Sequence, residues 1–315
     1  NYKTESCGNL YAFVMELSLR IINNYSYYSM IIPISFISTP RMSNIREIIE
    51  QNTLTYCINF ADRPGTLFNG VHQKVSIFIT QIKKSIQKAT FTSSFLHWYS
   101  KDKSNERNSL LTNFNFTNTI IKPEFNAWLK IGNEIENSIW EKILKVKNNP
   151  VFIDKSKNIC IYLNMRMMFW AKCFLNSKKS KEFKSLYFNS QNEKYVNLAA
   201  YNSNLFFYFW ESISDCWHIT QREINLFQIN YNSISDFKFY HDLSIALEND
   251  LENKKKFVGT VQTDYEYYHK KSKHIIDEID KVLAKHYGFT EEELDFIINY
   301  DIKYRMGKEL EDDTE

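Results

Sequence analysis

Apolar positions recur along this chain at two periods, and the change from one to the other marks its elements. Leu10, Phe13, Val14, Leu17 and Ile21 fall at helical spacing, which predicts a helix over 9–22. Ser29 to Ser35 is a short apolar run interrupted by Pro33, consistent with a strand that ends there, because proline has no amide proton to give a ladder. Ser43 is placed to cap a short helix through Glu50. Leu54 to Phe60 then reads as a second strand, and Val75 to Thr80, by its alternation, as a third that is half-buried. The order helix, strand, helix, strand, loop, strand suits one half of an open α/β sheet.

Residues 82–122 are rich in Lys, Ser, Thr and Asn, including Ser100 to Arg107, and a domain boundary is expected there. Phe125 to Lys147 reads as a helix with Trp128, Ile131, Ile135, Ile139 and Ile143 on one buried face. Val151 to Asp154 and Asn158 to Asn164 read as two strands, and Glu193 to Asp215 as one long aromatic helix. Thr220 and Glu223 form a capping box, as do Thr290 and Glu293. From Asp236 the chain is helical, with Ile275, Ile276, Ile279, Val282 and Leu283 in a stripe that stops at Gly288, a good residue for a left-handed helix end. The tail Glu309 to Glu315 is acidic and expected to fray.

The segment from Phe60 to Lys74 carries the richest chemistry. Arg63, His72 and Lys74 supply cationic and hydrogen-bonding groups, and Phe68 an aromatic face. Gly65 and Gly70 let the backbone turn tightly or approach a ligand closely. The loop runs directly into the alternating strand, so it lies at the end of a sheet. A base-binding loop and an ordinary surface connection are both open on these residues alone.

Composition narrows the classes. With 315 residues and 43% of them hydrophobic, the chain can bury a sizeable core, and two domains are the natural expectation. A net charge of only +2 gives no global basic field, so any nucleic-acid footprint has to be local. Lys254 to Lys256 and Lys270, Lys271 and Lys273 are basic clusters that serve equally as solvated faces or as phosphate contacts. Cys7, Cys57, Cys160, Cys173 and Cys216 are scattered, without a Cys-x-x-Cys pair, which suits free thiols in a reducing cytoplasm. No stretch is long and apolar enough for a membrane span. The histidines show no metal-ligand spacing and no Gly-x-Ser-x-Gly elbow is present, so no metal and no nucleophilic centre is expected.

Four segments in one order carry a resemblance: Asn9-Leu-Tyr-Ala-Phe13, Ile31-Ile-Pro-Ile-Ser35, the loop Arg63-Pro-Gly-Thr-Leu-Phe-Asn-Gly-Val-His-Gln-Lys74, and Leu294 to Met306. Together they resemble the C-terminal part of an adenine-specific N6 DNA methyltransferase of restriction-modification systems, of the type II or IIG kind. Asn202-Ser-Asn-Leu-Phe206, Ser214-Asp215 and Arg222-Glu-Ile224 match that family's C-terminal specificity region. The Gly-rich cofactor loop and the Asn-Pro-Pro-Tyr motif of such enzymes are absent from the sequence, which has no Pro-Pro pair.

The resemblance implies an α/β then α+β fold: residues 1–90 as the C-terminal half of a Rossmann-like methyltransferase sheet with an antiparallel last pair of strands, 91–235 as a mixed, mostly helical target-recognition region, and 236–315 as a C-terminal helical region. It implies S-adenosylmethionine as cofactor, double-stranded DNA as partner, and a missing N-terminal catalytic half on the same or a separate chain, the present chain being a fragment or one part of a split enzyme. Phe68 is expected to stack on a flipped adenine, because N6 is out of reach while the base is paired; a plug over the sheet end is the competing role. Arg63, His72 and Lys74 are expected near DNA phosphates. Tyr11 and Phe13 are expected to flank the cofactor adenine, with simple core packing as the alternative. A non-catalytic DNA-binding specificity subunit is the other functional reading.

Overall fold

A computed structural model of the chain describes residues 1–68, 70–82, 88–99, 109, 111–112, 114–147 and 153–307. Its contacts divide into two compact units, one of Asn1–Asn137 with Glu211–Asp215, the other of Ser138–Trp210 with Cys216–Glu315.

In the first unit the helices are α1 Leu10–Ile21, α2 Ser35–Ser38 and α3 Ser43–Asn52. The strands are β1 Tyr27–Pro33, β2 Thr53–Phe60, β3 Val75–Ile82, β4 Ala89–Leu96 and the short β5 Thr117–Asn118. They form one mixed sheet in the order β1-β3-β2-β4-β5. β3 runs antiparallel to both β1 and β2, so those two are parallel to each other, and β4 is parallel to β2. Three parallel strands therefore end at the same edge of the sheet.

The interior of this sheet is unusually polar, and its hydroxyls are paired. Asn59 on β2 donates its side-chain amide to the Ser93 carbonyl at 3.0 Å, accepts from Ser76 Oγ at 2.9 Å, and takes its own backbone N–H to Ser93 Oγ at 3.0 Å. One side chain thus ties β2, β3 and β4, at the point where the β2–β4 register shifts between Cys57 and Asn59. Thr55 and Thr80 are hydrogen-bonded across β2 and β3 at 2.7 Å. Buried polar groups are tolerated only when so satisfied.

These bonds explain one departure from expectation. Ala89 to Leu96 looks like part of a polar transition, yet it is a full strand, because Thr90, Thr92 and Ser93 are buried and the hydroxyls of Thr92 and Ser93 meet partners within the fold instead of water. The strand passes straight through the boundary expected between residues 90 and 91. Ser100 to Arg107 falls outside the described residues.

A second departure concerns α1. The helix is present, but its apolar stripe is exposed: Leu10 is 77% and Ile21 71% accessible, with Val14 and Leu17 also exposed, and the buried face holds Ala12, Met15 and Glu16. Glu16 accepts from Thr4 N at 2.9 Å, Thr4 Oγ1 at 2.8 Å and Lys3 N at 3.1 Å. Burial acts to raise its carboxyl, but these bonds and Arg20 outweigh it and hold it near 2.

The helix expected over Phe125 to Lys147 begins only at Glu134, forming α4 Glu134–Lys145. Residues 128–131 run as an extended strap instead, after a left-handed Asn126 and a bend at Ala127. Trp128 N donates to the Ile37 carbonyl at 2.8 Å, and Thr92 Oγ1 donates to the carbonyls of Leu129 and Ile131. Trp128 and Ile131 are buried as expected, but by an extended chain and not by a helix face, and Leu129 between them is buried as well. Asn133 accepts from Glu136 N at 2.9 Å and so starts the helix.

The second unit carries a three-stranded antiparallel sheet, β6 Cys160–Asn164, β7 Cys173–Phe174 and β8 Phe183–Tyr187, in the order β7-β6-β8. Only β6 matches an expected strand; Ile153 and Asp154 are not in one, and residues 151–152 lie outside the described set. Helices follow: α5 Gln191–Tyr201, α6 Asn204–Ile213, α7 Gln221–Leu226, α8 Phe237–Lys254, then, after the two-residue strands β9 Lys256–Phe257 and β10 Tyr265–Glu266, α9 Lys273–Tyr287, α10 Glu291–Asn299 and α11 Ile302–Met306.

The single helix expected over Glu193 to Asp215 is two helices. Asn202 breaks it, its amide accepting from Cys173 N at 3.1 Å and donating to the Cys173 and Leu198 carbonyls at 2.9 Å. The buried Asp280 carboxylate then accepts the Asn204 and Leu205 amides at 3.1 and 3.0 Å, restarting the chain as α6. Burial, against these hydrogen bonds, pushes Asp280 up to about 7. Both capping boxes form, and Gly288 ends α9 with φ +70°. All five cysteines are buried and free. Among the described residues no helix is long and apolar enough to cross a membrane.

Candidate functional site

The carboxyl ends of parallel strands are where open α/β sheets bind ligands, because loops there diverge and leave a crevice. Here that edge collects Ser35 after β1, the loop 61–74 after β2, and His97 and Trp98 after β4.

The loop is anchored at several points. Ala61 N donates to the Leu96 carbonyl at 2.9 Å, and Ile34 N to the Lys74 carbonyl at 3.1 Å, so both loop ends are pinned to neighbouring strands. Leu67 is buried with Ile58, Phe60, Val75 and Trp98 in one apolar cluster. Gly65 packs so closely on Trp98 that a Cβ would lie 2.6 Å from the indole Nε1 and 2.8 Å from the Trp98 carbonyl oxygen. Gly70 has φ +73°, a left-handed conformation that glycine adopts without strain.

Two groups that sequence reasoning did not single out hold the loop from beneath. Asp62 is buried, with Oδ1 3.1 Å from Lys74 Nζ and Oδ2 without a hydrogen-bond partner among the described residues. His97 places Nδ1 2.6 Å from the Arg63 carbonyl and Nε2 3.2 Å from Glu211 Oε1. Its two ring nitrogens thus lie against a carbonyl and a carboxylate, bridging the loop to Glu211. The one legible signal was the pair of opposite charges, Asp62 and Lys74, at the two ends of the loop. Nothing in the sequence joins His97 to Glu211.

The expected site residues divide. Phe68 is 44% exposed, and Arg63 and His72 are exposed beside it on the same loop. Lys74 is turned inward to Asp62, so its ammonium serves the loop's closure and is not displayed to a phosphate in this conformation. Tyr11 reaches the same sheet edge, its hydroxyl 3.1 Å from Ser35 Oγ, and burial pushes its phenol up. Phe13 packs edge-on against Tyr2 at 5.6 Å. Tyr11 and Phe13 thus meet different partners, Ser35 and Tyr2.

No protein-family model matches the chain, and no curated protein matches it. Among solved structures it is similar to one described as the type IIG restriction endonuclease BpuSI, at 10% identity and a TM-score of 0.30, over 94% of this chain and 48% of that one. The chain thus spans about half the length of that protein. At that TM-score the likeness assigns neither fold nor activity.

Proposed function

We propose that this chain is part of a site-specific DNA methyltransferase of a restriction-modification system, which moves a methyl group from S-adenosylmethionine to adenine N6, and that it supplies the base-flipping loop and the DNA recognition. The observation that carries the reading is the loop 61–74: clamped from below by Asp62, Lys74 and His97, it presents Phe68, Arg63 and His72 outward at the carboxyl edge of parallel strands. A rigid loop with an exposed ring is what an extruded base needs to stack on. Arg63 and His72 would meet phosphates, which orient DNA without reading sequence. The antiparallel β2–β3 pair is in keeping with the family resembled.

The cofactor would be held largely by another segment, on the same or a separate polypeptide. The surface of the first unit supports this. Among the described residues β1 has one neighbour, β3, so its other edge has unpaired backbone groups. Tyr27 and Ile31 on that strand are exposed, as is the apolar stripe of α1. Edge strands and contiguous apolar surface of this kind mark interaction sites.

The test is binding to a random-sequence duplex pool across a salt series, with sequencing of the retained fraction. An enriched motif, with affinity falling as salt rises, is the expected result; no retention at low salt would remove the reading. The whole chain alone is expected to transfer no methyl group. The second reading, a non-catalytic DNA-binding specificity subunit, is favoured by the missing cofactor and Asn-Pro-Pro-Tyr motifs. Methyl transfer on adding a polypeptide that carries those motifs would decide for the first; binding without transfer would decide for the second.

A further inference from the structure

The second unit contains an open cavity of about 610 Å³ between the first turns of α5 and α8, well away in sequence from the loop described above. It is lined by Gln191, Asn192, Lys194, Tyr195, Phe237, Lys238 and His241, with no acidic residue among them. In a chain whose 39 basic and 37 acidic residues nearly balance, a concave surface lined by two lysines and no acid is a local exception.

Three acids flank the cavity without lining it: Asp236, whose carboxylate accepts Lys238 N at 2.8 Å, Glu193 and Asp242. Glu193, in the first turn of α5, turns back to accept Asn189 N at 3.0 Å. Asp242 accepts from His241 Nδ1 at 3.0 Å and lies 4.0 Å from Lys238 Nζ, both partners being well exposed. An exposed ion pair at that distance is weak and exchanges readily for a stronger anion. Lys194 lies 5.5 Å from the Tyr195 ring centroid, and the Tyr195 ring meets His241 edge-on at 4.4 Å, so the cations are supported by aromatic surface. Ser190 and Asp236 cap the two helices at this place, accepting from Glu193 N at 3.2 Å and Lys238 N at 2.8 Å.

We infer that this cavity seats a backbone phosphate of duplex DNA, held by Lys194 and Lys238 with Gln191, Asn192 and Tyr195 as hydrogen-bond donors. Lysine, amide and tyrosine side chains together with helix starts are the groups that grip phosphodiesters. The openness of the site suits a continuous strand passing over it. This inference rests on the DNA-binding reading above and adds a second, phosphate-gripping surface to the loop.

The test uses the full chain with Lys194→Ala and Lys238→Ala combined, and Lys281→Ala, an exposed lysine on α9, as control. Affinity for a short duplex is measured over a salt series by fluorescence anisotropy, with the thermal midpoint followed to confirm folding. The double variant should make the slope of log affinity against log salt shallower by about 1, equally on enriched and scrambled duplexes, while the control leaves it unchanged. A normal slope in the double variant, with the parent chain binding DNA, would overturn the cavity and leave the loop's role standing. Failure of the parent chain to bind any duplex would remove both. Deoxyadenosine monophosphate binding as tightly as the duplex would make this a small-ligand pocket and overturn the inference as well.

Discussion

Lys74 Nζ lies 3.1 Å from Asp62 Oδ1, joining the two ends of the loop through an ion pair that is almost wholly buried. Removing one partner of such a pair leaves the other charge uncompensated, which costs about 3–5 kcal/mol. Lys74→Met and Asp62→Asn should each lower stability on that scale in a denaturant titration. The double variant should lose less than the sum of the two. Additive losses would show that the two charges are not coupled.

Phe68 packs little, so Phe68→Ala should leave the unfolding midpoint within about 0.5 kcal/mol of the parent. Its effect should fall on the base. With 2-aminopurine at the target adenine, the fluorescence rise that reports extrusion should drop by about tenfold or more, in line with roughly 1–3 kcal/mol of stacking. Phe68→Trp should retain it. Equal fluorescence in the parent and the alanine variant would assign the ring to plugging the sheet end.

Gly65 has no room for a methyl group beside Trp98. Gly65→Ala should destabilise by about 1–3 kcal/mol as the loop shifts off the indole. Tryptophan emission would report the change directly. A neutral result would mean that Trp98 yields at no cost.

Two carboxyls give opposite pH signatures. Glu16 is held near 2, below its usual value, so its stabilisation is present above about 4.5 and disappears as pH falls toward 2. Asp280 is raised to about 7, so folding favours its protonated form; that contribution is full below about 4 and is lost as pH rises through 7. Glu16→Gln should flatten the acid limb of the stability profile, and Asp280→Asn the limb between about 4 and 7. Unchanged limbs in unfolding experiments across pH would refute the assignments.

The exposed stripe of α1 gives a further expectation. Replacing Leu10, Leu17 and Ile21 with Ser should cost little stability, within about 0.5 kcal/mol per site. It should reduce concentration-dependent association in sedimentation experiments. A large loss of stability would mean that the stripe is part of this chain's own core.

How far the fold could be read in advance depended on which groups did the packing. Alternation found β3, and capping residues found α7 and α10, because these signals are local. β4 was missed because its inward side chains are hydroxyls, satisfied by Asn59 and by the carbonyls of residues 129 and 131, none adjacent in sequence. The 125–147 helix was overextended because Trp128 and Ile131 have the right spacing for a helix but are buried by an extended strap. Break points such as Asn202 depend on Cys173 and Asp280, which only the folded chain brings near. The same holds at the loop. Phe68, Arg63 and His72 were visible as loop residues, whereas Asp62, His97 and Glu211 matter through distant partners.

The short segment Glu211–Asp215 has a consequence for anyone wishing to dissect this protein. It supplies the carboxylate opposite His97, and the Ser212 and Ser214 carbonyls that receive Lys130 N at 2.8 Å and Lys130 Nζ at 2.6 Å. The first unit is therefore discontinuous along the chain. Cutting at residue 137 would not liberate it but would strip the floor from beneath the loop, stranding the ammonium of Lys130 and half the support of His97. The N-terminal unit is inherited only together with the polypeptide that follows it.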